Sequence, residues 1–311
     1  MKVSKNVKKP NFFIIGAPKC GTTALSEYLR EHPDIHFSYP KEPNFFCTDF
    51  SDKHRGFRSL ELYLNQCFYN SKGKTAVGEG SVYYLYSDEA VPNIMEFNPD
   101  AKFIVMLRDP VSMVYSLHST HIRSRINENV VDFKKAWDLQ ESRKRGENLP
   151  PDNREPKLIQ YREVCSTGKQ LERLFSRVDR DRVKVIIFDD FVADTKNVYE
   201  ETLDFLGVDS DNRTDFTPKN ENRYFKNTKL ANLVSKTAKK YPGVMLVKRR
   251  LGIPEGVSVL KFINKLNRVK AKRQPLDEAF HKQLYNEFRE DVERLEKLLD
   301  RDLSHWKTSK N

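Results

Sequence analysis

The sequence predicts an α/β fold: a three-layer sandwich with a central, mainly parallel sheet and helices on both faces. Three observations predict it. Short apolar runs (Phe12–Ile15, Lys102–Leu107 and Arg182–Phe188) alternate with longer segments whose apolar residues recur every three or four positions. The runs are continuous, as in strands buried on both faces. The chain has 311 residues, enough for one large domain or two small ones, and 1–311 reads as one.

Each element follows in order. Residues 1–10, MKVSKNVKKP, form a flexible basic arm. After the Phe12–Ile15 strand, Gly16 and Gly21 bracket a turn holding Ala17, Pro18, Lys19 and Cys20. Thr22 and Thr23 open a helix, carried by Ala24, Leu25, Tyr28 and Leu29 and closed by His32 and Pro33. Asp34–Phe37 is an edge strand. In Ser38–Phe46, two prolines flank Lys41 and Glu42 and stiffen the loop. Residues 57–69 are helical, Lys74–Gly80 is a strand ending at Glu79, and Ser87–Phe97 is a helix closed by Asn98 and Pro99. Lys102–Leu107 is the clearest central strand. Arg108, Asp109 and Pro110 leave it, and Val111–Ser124 is helical. Residues 123–157 are polar, with one helix over Val131–Arg143 and a surface excursion marked by Pro150, Pro151 and Pro156. Leu158–Phe175 is amphipathic with a break at Ser166–Gly168. Arg182–Phe188 is the last strong strand, ended by Asp189, Asp190 and Phe191. Asn197–Leu206 is a helix stopped by Gly207. Residues 213–275 are basic: a cap or acceptor region, or a solvated face. Over 276–306 the C-terminal helix carries Phe280, Leu284, Phe288, Val292, Leu295 and Leu299 on one stripe, and Trp306 anchors its end.

Lysines and arginines number 55 against 44 acids, a net charge of +11, so the partner is anionic: nucleotide, nucleic acid, acidic lipid or acidic glycan. Cys20, Cys47, Cys67 and Cys165 form no CxxC pair, which excludes a disulfide-rich scaffold and gives no zinc spacing. The N-terminus carries no signal segment, and no apolar run is long enough to span a bilayer. A soluble protein is expected, cytoplasmic in a bacterium, or a Golgi-lumenal catalytic domain if an anchor has been removed.

The turn after the first strand is nearly a P-loop. GxxxxG holds from Gly16 to Gly21, but Thr22 stands where the nucleotide-triphosphate motif has lysine, and the lysine lies inside the loop as Lys19. Strand, tight loop and helix N-terminus still aim N–H groups and a positive helix end at one anion. A kinase would hold magnesium with an acid at a neighbouring strand end. Here Lys102–Leu107 delivers Arg108 instead; Asp109 serves structure, and Asp189 and Asp190 remain as candidate metal acids. The balance favours neutralisation by Lys19 and Arg108 without metal, since an arginine fork matches two phosphate oxygens. Glu42, between its prolines, is either a candidate base or part of an ordinary surface loop.

PKCGTTAL (18–25) with LRDPVSMVYS (107–116) resembles the two cofactor motifs of the sulfotransferases that use 3′-phosphoadenosine 5′-phosphosulfate (PAPS). HPDI (32–35) and KEPNFF (41–46) are similar to the branch containing heparan sulfate sulfotransferases and many bacterial relatives, and segments 189–208 and 284–306 also fit. The resemblance implies a P-loop-type sandwich and the following roles. Pro18, Lys19, Cys20, Gly21, Thr22 and Thr23 hold the 5′-phosphosulfate. Arg108 and Ser116 hold the 3′-phosphate. Glu42 takes the acceptor proton, and Lys19 balances charge on the leaving oxygen. Arg223, or Lys219, stands for the late loop that closes over the donor.

Two departures are visible. Gly80 stands where heparan sulfate 3-O-sulfotransferases carry lysine, and the cysteine pair of the animal enzymes is absent. The expected reaction passes a sulfuryl group from PAPS to a hydroxyl of a glycan or small metabolite, anionic acceptors included, releasing adenosine 3′,5′-bisphosphate with no metal. His36 and His54 are alternative bases; His118 and His121 face acceptor or solvent. Glu79 either binds the acceptor or orients Lys19; for Glu42 the other role is a salt bridge to Lys41 or Lys19. Two competing functions are a P-loop small-molecule kinase and a non-enzymatic protein binding anionic polymers or membrane. No specific nucleic-acid signature accompanies the charge.

Overall fold

The computed structural model describes residues 3–124, 127–217, 223–225, 268–270 and 276–308. The chain divides into two compact units, residues 1–219 with 276–311, and residues 220–275.

In the first unit, β1 (Phe12–Gly16), β2 (Ile35–Phe37), β3 (Ala76–Gly80), β4 (Lys102–Leu107) and β5 (Val183–Ile187) form one sheet in the order β2-β3-β1-β4-β5. Every pairing is parallel: Phe13 lies opposite Glu79 and Phe103, and Leu107 opposite Ile187. The expected edge strand is therefore at an edge, and β1 is the centre. Successive side chains of β1 enter opposite cores, which is why its sequence reads as an unbroken apolar run. Phe12 and Ile14 join Leu25, Tyr28, Ile104 and Met106 on one face. Phe13 and Ile15 join Tyr63, Phe103, Val105 and Leu107 on the other. At Gly78 an added Cβ would stand 2.0 Å from the Phe12 ring, so this glycine gives the ring its place across β3.

Among the described residues the α-helices are α1 (Thr22–Glu31), α2 (Leu60–Cys67), α3 (Ala90–Phe97), α4 (Pro110–Ser124), α5 (Phe133–Asp138), α6 (Gln140–Lys144), α7 (Tyr161–Cys165), α8 (Thr167–Phe175), α9 (Phe188–Ala193), α10 (Thr195–Leu206) and α11 (Glu278–Leu299). Gly207 ends α10 in the left-handed region at φ 72°, as expected. Asp277 caps α11 by accepting the Phe280 N–H. The stripe on α11 is buried at Phe280, Leu284, Phe288, Val292 and Leu295. Its Asp291 carboxylate accepts the Gly168 and Lys169 N–H groups at 2.7 and 3.0 Å, joining α11 to the start of α8.

The structure differs from the reading in three places. The helix expected over Val131–Arg143 is two, α5 and α6, meeting at Leu139. Asp189, Asp190 and Phe191 do not merely end a strand; they lie in α9. The basic arm makes fixed contacts over its described part, from residue 3 on: Ser4 N–H donates to Asn65, Lys8 N–H to Ser71 Oγ, and the Lys8 ammonium to the carbonyls of Lys74 and Thr75. All four cysteines are free and buried. Among the described residues no helix is long and apolar enough to cross a membrane. The second unit contributes β6 (Arg223–Phe225) antiparallel to β7 (Arg268–Lys270); the rest of the basic region 213–275 beyond residue 217 lies outside the described residues.

Candidate active site

The site is built at the carboxyl edge of the sheet, where ligands of open α/β folds bind. Beyond β1 the chain turns along β4, with the Ala17 N–H donating to the Met106 carbonyl at 2.7 Å. Gly16 must lack a side chain: a Cβ there would stand 2.8 Å from Leu85 Cβ and 3.3 Å from the Val82 carbonyl. Lys19 and Gly21 both adopt positive φ, 69° and 89°. Left-handed residues turn successive N–H groups toward one side. Gly21 caps α1 without a side-chain bond. The first intrahelical bonds run from Ala24 and Leu25 to the Gly21 carbonyl at 2.9 and 3.3 Å. The amides of Thr22 and Thr23 therefore lie at the open, positive end of the helix. Pro18, Cys20 and Thr22 are buried. The Cys20 thiol packs on the Pro18 carbonyl and Met113, and burial pushes it up to about 12. Cys20 thus offers the site its backbone, not a nucleophile.

Arg108 leaves β4 at the same edge. Its guanidinium donates to the Lys19 carbonyl at 3.4 Å and lies 4.6 Å over the Phe188 ring. That ring also stands 3.1 Å from where a Gly21 Cβ would be. Phe188 thus touches both halves of the anion cradle, and the sequence reading missed it. Its only signal was an aromatic closing the apolar run Arg182–Phe188. Asp109 accepts from the Val111 and Ser112 N–H groups at 3.1 and 3.0 Å, starting α4, which is the structural service expected of it. Ser116 lies two turns along α4 and is buried. Asp189 and Asp190, the candidate metal acids, are turned to the C-terminal segment: Asp190 pairs with Arg301, and Asp189 accepts from Trp306 Nε1 at 3.0 Å. Among the described residues no group of three or more His, Cys, Asp or Glu side chains is placed to hold a metal. Arg223 opens β6, and Lys219 lies outside the described residues.

Glu42 sits one strand across. It has φ 64°, and its N–H donates to the Gly80 carbonyl at 2.9 Å. Its Oε2 accepts the Val82 N–H at 2.9 Å, while Oε1 pairs with the Lys41 ammonium. The salt bridge to Lys41 therefore exists, and the Gly80 and Val82 contacts tie the loop to the end of β3. Val82 links the two halves of the site, since its carbonyl is the one that a Gly16 side chain would meet. The glycine at position 80 leaves space that Lys41 uses: Lys41 Cε stands 3.4 Å from where a Gly80 Cβ would be.

Glu79 is neither an acceptor contact nor aimed at Lys19. It is completely buried and accepts from Ser81 Oγ at 2.6 Å, from Tyr84 OH at 3.1 Å and from Tyr63 OH. Burial pushes its pKa up to about 7, against those three hydrogen bonds, which lower it. His36 bonds the Cys67 carbonyl at 3.0 Å and packs beside Phe68, away from the cradle. His118 bonds the Val130 carbonyl at 2.9 Å and stacks on Phe133, so it faces neither acceptor nor solvent. His121 is buried beside Tyr83, with Nε2 3.3 Å from its hydroxyl; burial holds its pKa down to about 3. His54 packs edge-on to the same tyrosine and is also kept neutral by burial.

A parallel sheet whose carboxyl edge brings together a helix N-terminus, an arginine and a braced carboxylate has the arrangement in which open α/β folds can receive an anionic ligand. The sequence matches the sulfotransferase domain family over residues 9–296, and the chain belongs to that family. Carbohydrate sulfotransferase 15 of Mus musculus is 29% identical over 147 residues, covering 34% of this chain and 26% of its own. The bifunctional heparan sulfate N-deacetylase/N-sulfotransferase 4 of Mus musculus is 28% identical over 204 residues, 64% of this chain and 22% of that one. The chain thus spans about a quarter of the length of these relatives. The crystal structure of a sulfotransferase from Alicyclobacillus acidocaldarius superposes with a TM-score of 0.71 at 27% identity, over 97% of this chain and 100% of that one. The kinase and polymer-binding readings give way to this family.

Proposed function

We propose that this sulfotransferase uses PAPS and sulfates a hydroxyl of a glycan or small metabolite. The observation that carries the proposal is the convergence of the Lys19–Thr23 cradle and Arg108 at one sheet edge, joined through Val82 to Glu42. The residues fit such a donor. The cradle offers backbone donors and a helix end to one phosphate-like group, and Arg108, stacked on Phe188, offers a fork for a second.

Bound there, PAPS supplies a sulfuryl group and leaves as adenosine 3′,5′-bisphosphate. Lys19 and the Gly21–Thr23 amides neutralise charge developing on the departing oxygen. Arg108 and Ser116 hold the 3′-phosphate. Glu42 takes the proton from the acceptor hydroxyl: each of its oxygens accepts one bond, from Lys41 or Val82, and keeps a lone pair for that proton. The names of the relatives, carbohydrate and heparan sulfate sulfotransferases, favour a glycan acceptor.

The test is calorimetry with adenosine 3′,5′-bisphosphate in excess chelator, then labelled PAPS offered with alcohol, phenol and glycan acceptors. Bisphosphate binding and label on a hydroxyl are expected. Retention of ATP with magnesium in place of the bisphosphate overturns the proposal.

A further inference from the structure

Beneath the Glu42 loop lies a buried network that the mechanism above does not use. The Asn44 N–H donates to Ser81 Oγ at 3.0 Å, and Ser81 Oγ donates to Glu79 Oε1 at 2.6 Å. The Phe46 N–H donates to Tyr84 OH at 3.3 Å, and that hydroxyl donates to Glu79 Oε2 at 3.1 Å. Two backbone amides of the loop therefore end, each through one hydroxyl, on the same carboxylate, which is itself fully buried. The residues between these relays hold Glu42 directly: the Gly80 carbonyl takes its N–H, and the Val82 N–H meets its Oε2.

We propose that Glu79 is a positioning residue for sulfuryl transfer, setting the Glu42 loop through Ser81 and Tyr84. This rests on the reading of Glu42 as the base. Ionised, Glu79 is an acceptor only, so it fixes both hydroxyls as donors toward itself and leaves their lone pairs to the loop amides. A glutamine would turn an NH2 toward one of these hydroxyls, setting two donors on one oxygen and leaving its proton without the acceptor it had. The groups facing Glu79 are Tyr63 and Cys67 of α2, Cys47 and Glu42 of the loop, and Ser81 and Tyr84 beyond β3. Proton uptake by Glu79, whose burial raises its pKa to about 7, turns one carboxyl oxygen into a donor and loosens the relay that ends on it, a local change set beside the global stability that burial lends the neutral form.

The experiment is amide hydrogen exchange on the full chain, corrected for intrinsic rates, for wild type, Glu79→Gln, Ser81→Ala and Tyr84→Phe. Turnover and bisphosphate affinity are measured on the same samples. Glu79→Gln should speed exchange at both Asn44 and Phe46 at least about tenfold while leaving β4 amides unchanged, Ser81→Ala should speed Asn44, and Tyr84→Phe should speed Phe46, since a buried donor left without its partner opens more easily. Turnover should fall at least about tenfold in Glu79→Gln, with bisphosphate affinity within about threefold of wild type. Wild-type protection at Asn44 should decline as pH falls through about 7, and Glu79→Gln should lose that dependence. Should Glu79→Gln not fold, the two hydroxyl variants carry the test. Unchanged protection at Asn44 in Ser81→Ala and at Phe46 in Tyr84→Phe overturns the proposal. Lost protection with full turnover shows that the relays anchor the loop but overturns the positioning role in transfer, whereas an unchanged turnover in Glu42→Gln refutes Glu42 as the base, so the two readings fail separately.

Discussion

Replacing Glu42 with glutamine removes the basicity of one carboxylate and little else. The backbone at Glu42, φ 64°, is equally accessible to glutamine. The amide has one acceptor oxygen, so it serves Val82 or Lys41 but not both. These side chains are partly exposed, 34% for Glu42 and 14% for Lys41, so the lost ion pair costs stability about 1 kcal/mol or less. The kinetic cost is larger. A lost general base lowers turnover by roughly 10² to 10⁴, about 3–5 kcal/mol of barrier. Donor affinity should barely change, because the cradle contacts lie at Lys19–Thr23 and Arg108. The assay is steady-state turnover with a hydroxyl acceptor, beside calorimetry with adenosine 3′,5′-bisphosphate and a thermal melt on one preparation. We expect turnover down at least about 10²-fold and bisphosphate affinity within about threefold. A fall in turnover below about fivefold refutes Glu42 as base and leaves His54, which lies within reach of its charge, as the next group to try. Joint collapse of binding and turnover refutes the separation of base from cradle.

Four further outcomes are expected. Arg108→Ala should weaken bisphosphate binding by about 2 kcal/mol, roughly thirtyfold, since a bound anion loses a charged donor; equal affinity by calorimetry removes Arg108 from the site. Gly21→Ala should weaken it too, because the new Cβ meets Phe188 at 3.1 Å and the backbone is at φ 89°; a melting temperature within a few degrees of wild type would show that the effect is local. Transfer should persist in excess chelator, since Lys19 and Arg108 stand where a metal would balance charge; loss restored by magnesium contradicts this. Glu79 binds its proton more tightly folded, at about 7, than at its ordinary 4.5. Its contribution to stability is full below pH 4.5 and is lost as pH rises through about 7, a total of roughly 3 kcal/mol. Denaturant titrations from pH 4 to 8 should show that fall in wild type and a flatter curve in Glu79→Gln.

Much of the fold was legible because strands buried on both faces need unbroken apolar runs. Phe12–Ile15 and Lys102–Leu107 could hardly be anything else, and the stripe on α11 declared its own helix. Boundaries were less legible where several short turns replace one helix: α5 and α6 share one apolar pattern, and only packing sets the break at Leu139. The loop spacing and the strand-end arginine were likewise legible, and the fold brings Arg108 to the Lys19 carbonyl at one sheet edge.

What the sequence alone determined is chemistry in local windows: GxxxxG before a helix, an arginine at a strand end, a glutamate between prolines. Those windows are short, and their backbone geometry follows from the residues inside them. The tertiary structure decided which distant residues share a surface. Phe188 reaches Gly21 and Arg108 because β5 lies beside β4. Glu79 looked available at the end of β3, yet α2 and the loop beyond β3 close three hydroxyls over it. His118 and His121 sit on one helix with nothing in their spacing to mark them as buried, and burial, which penalises the charged imidazole, keeps both neutral. Burial and partner geometry are properties of the packed chain, so the roles that depend on them could be read only after the helices had been laid on the sheet.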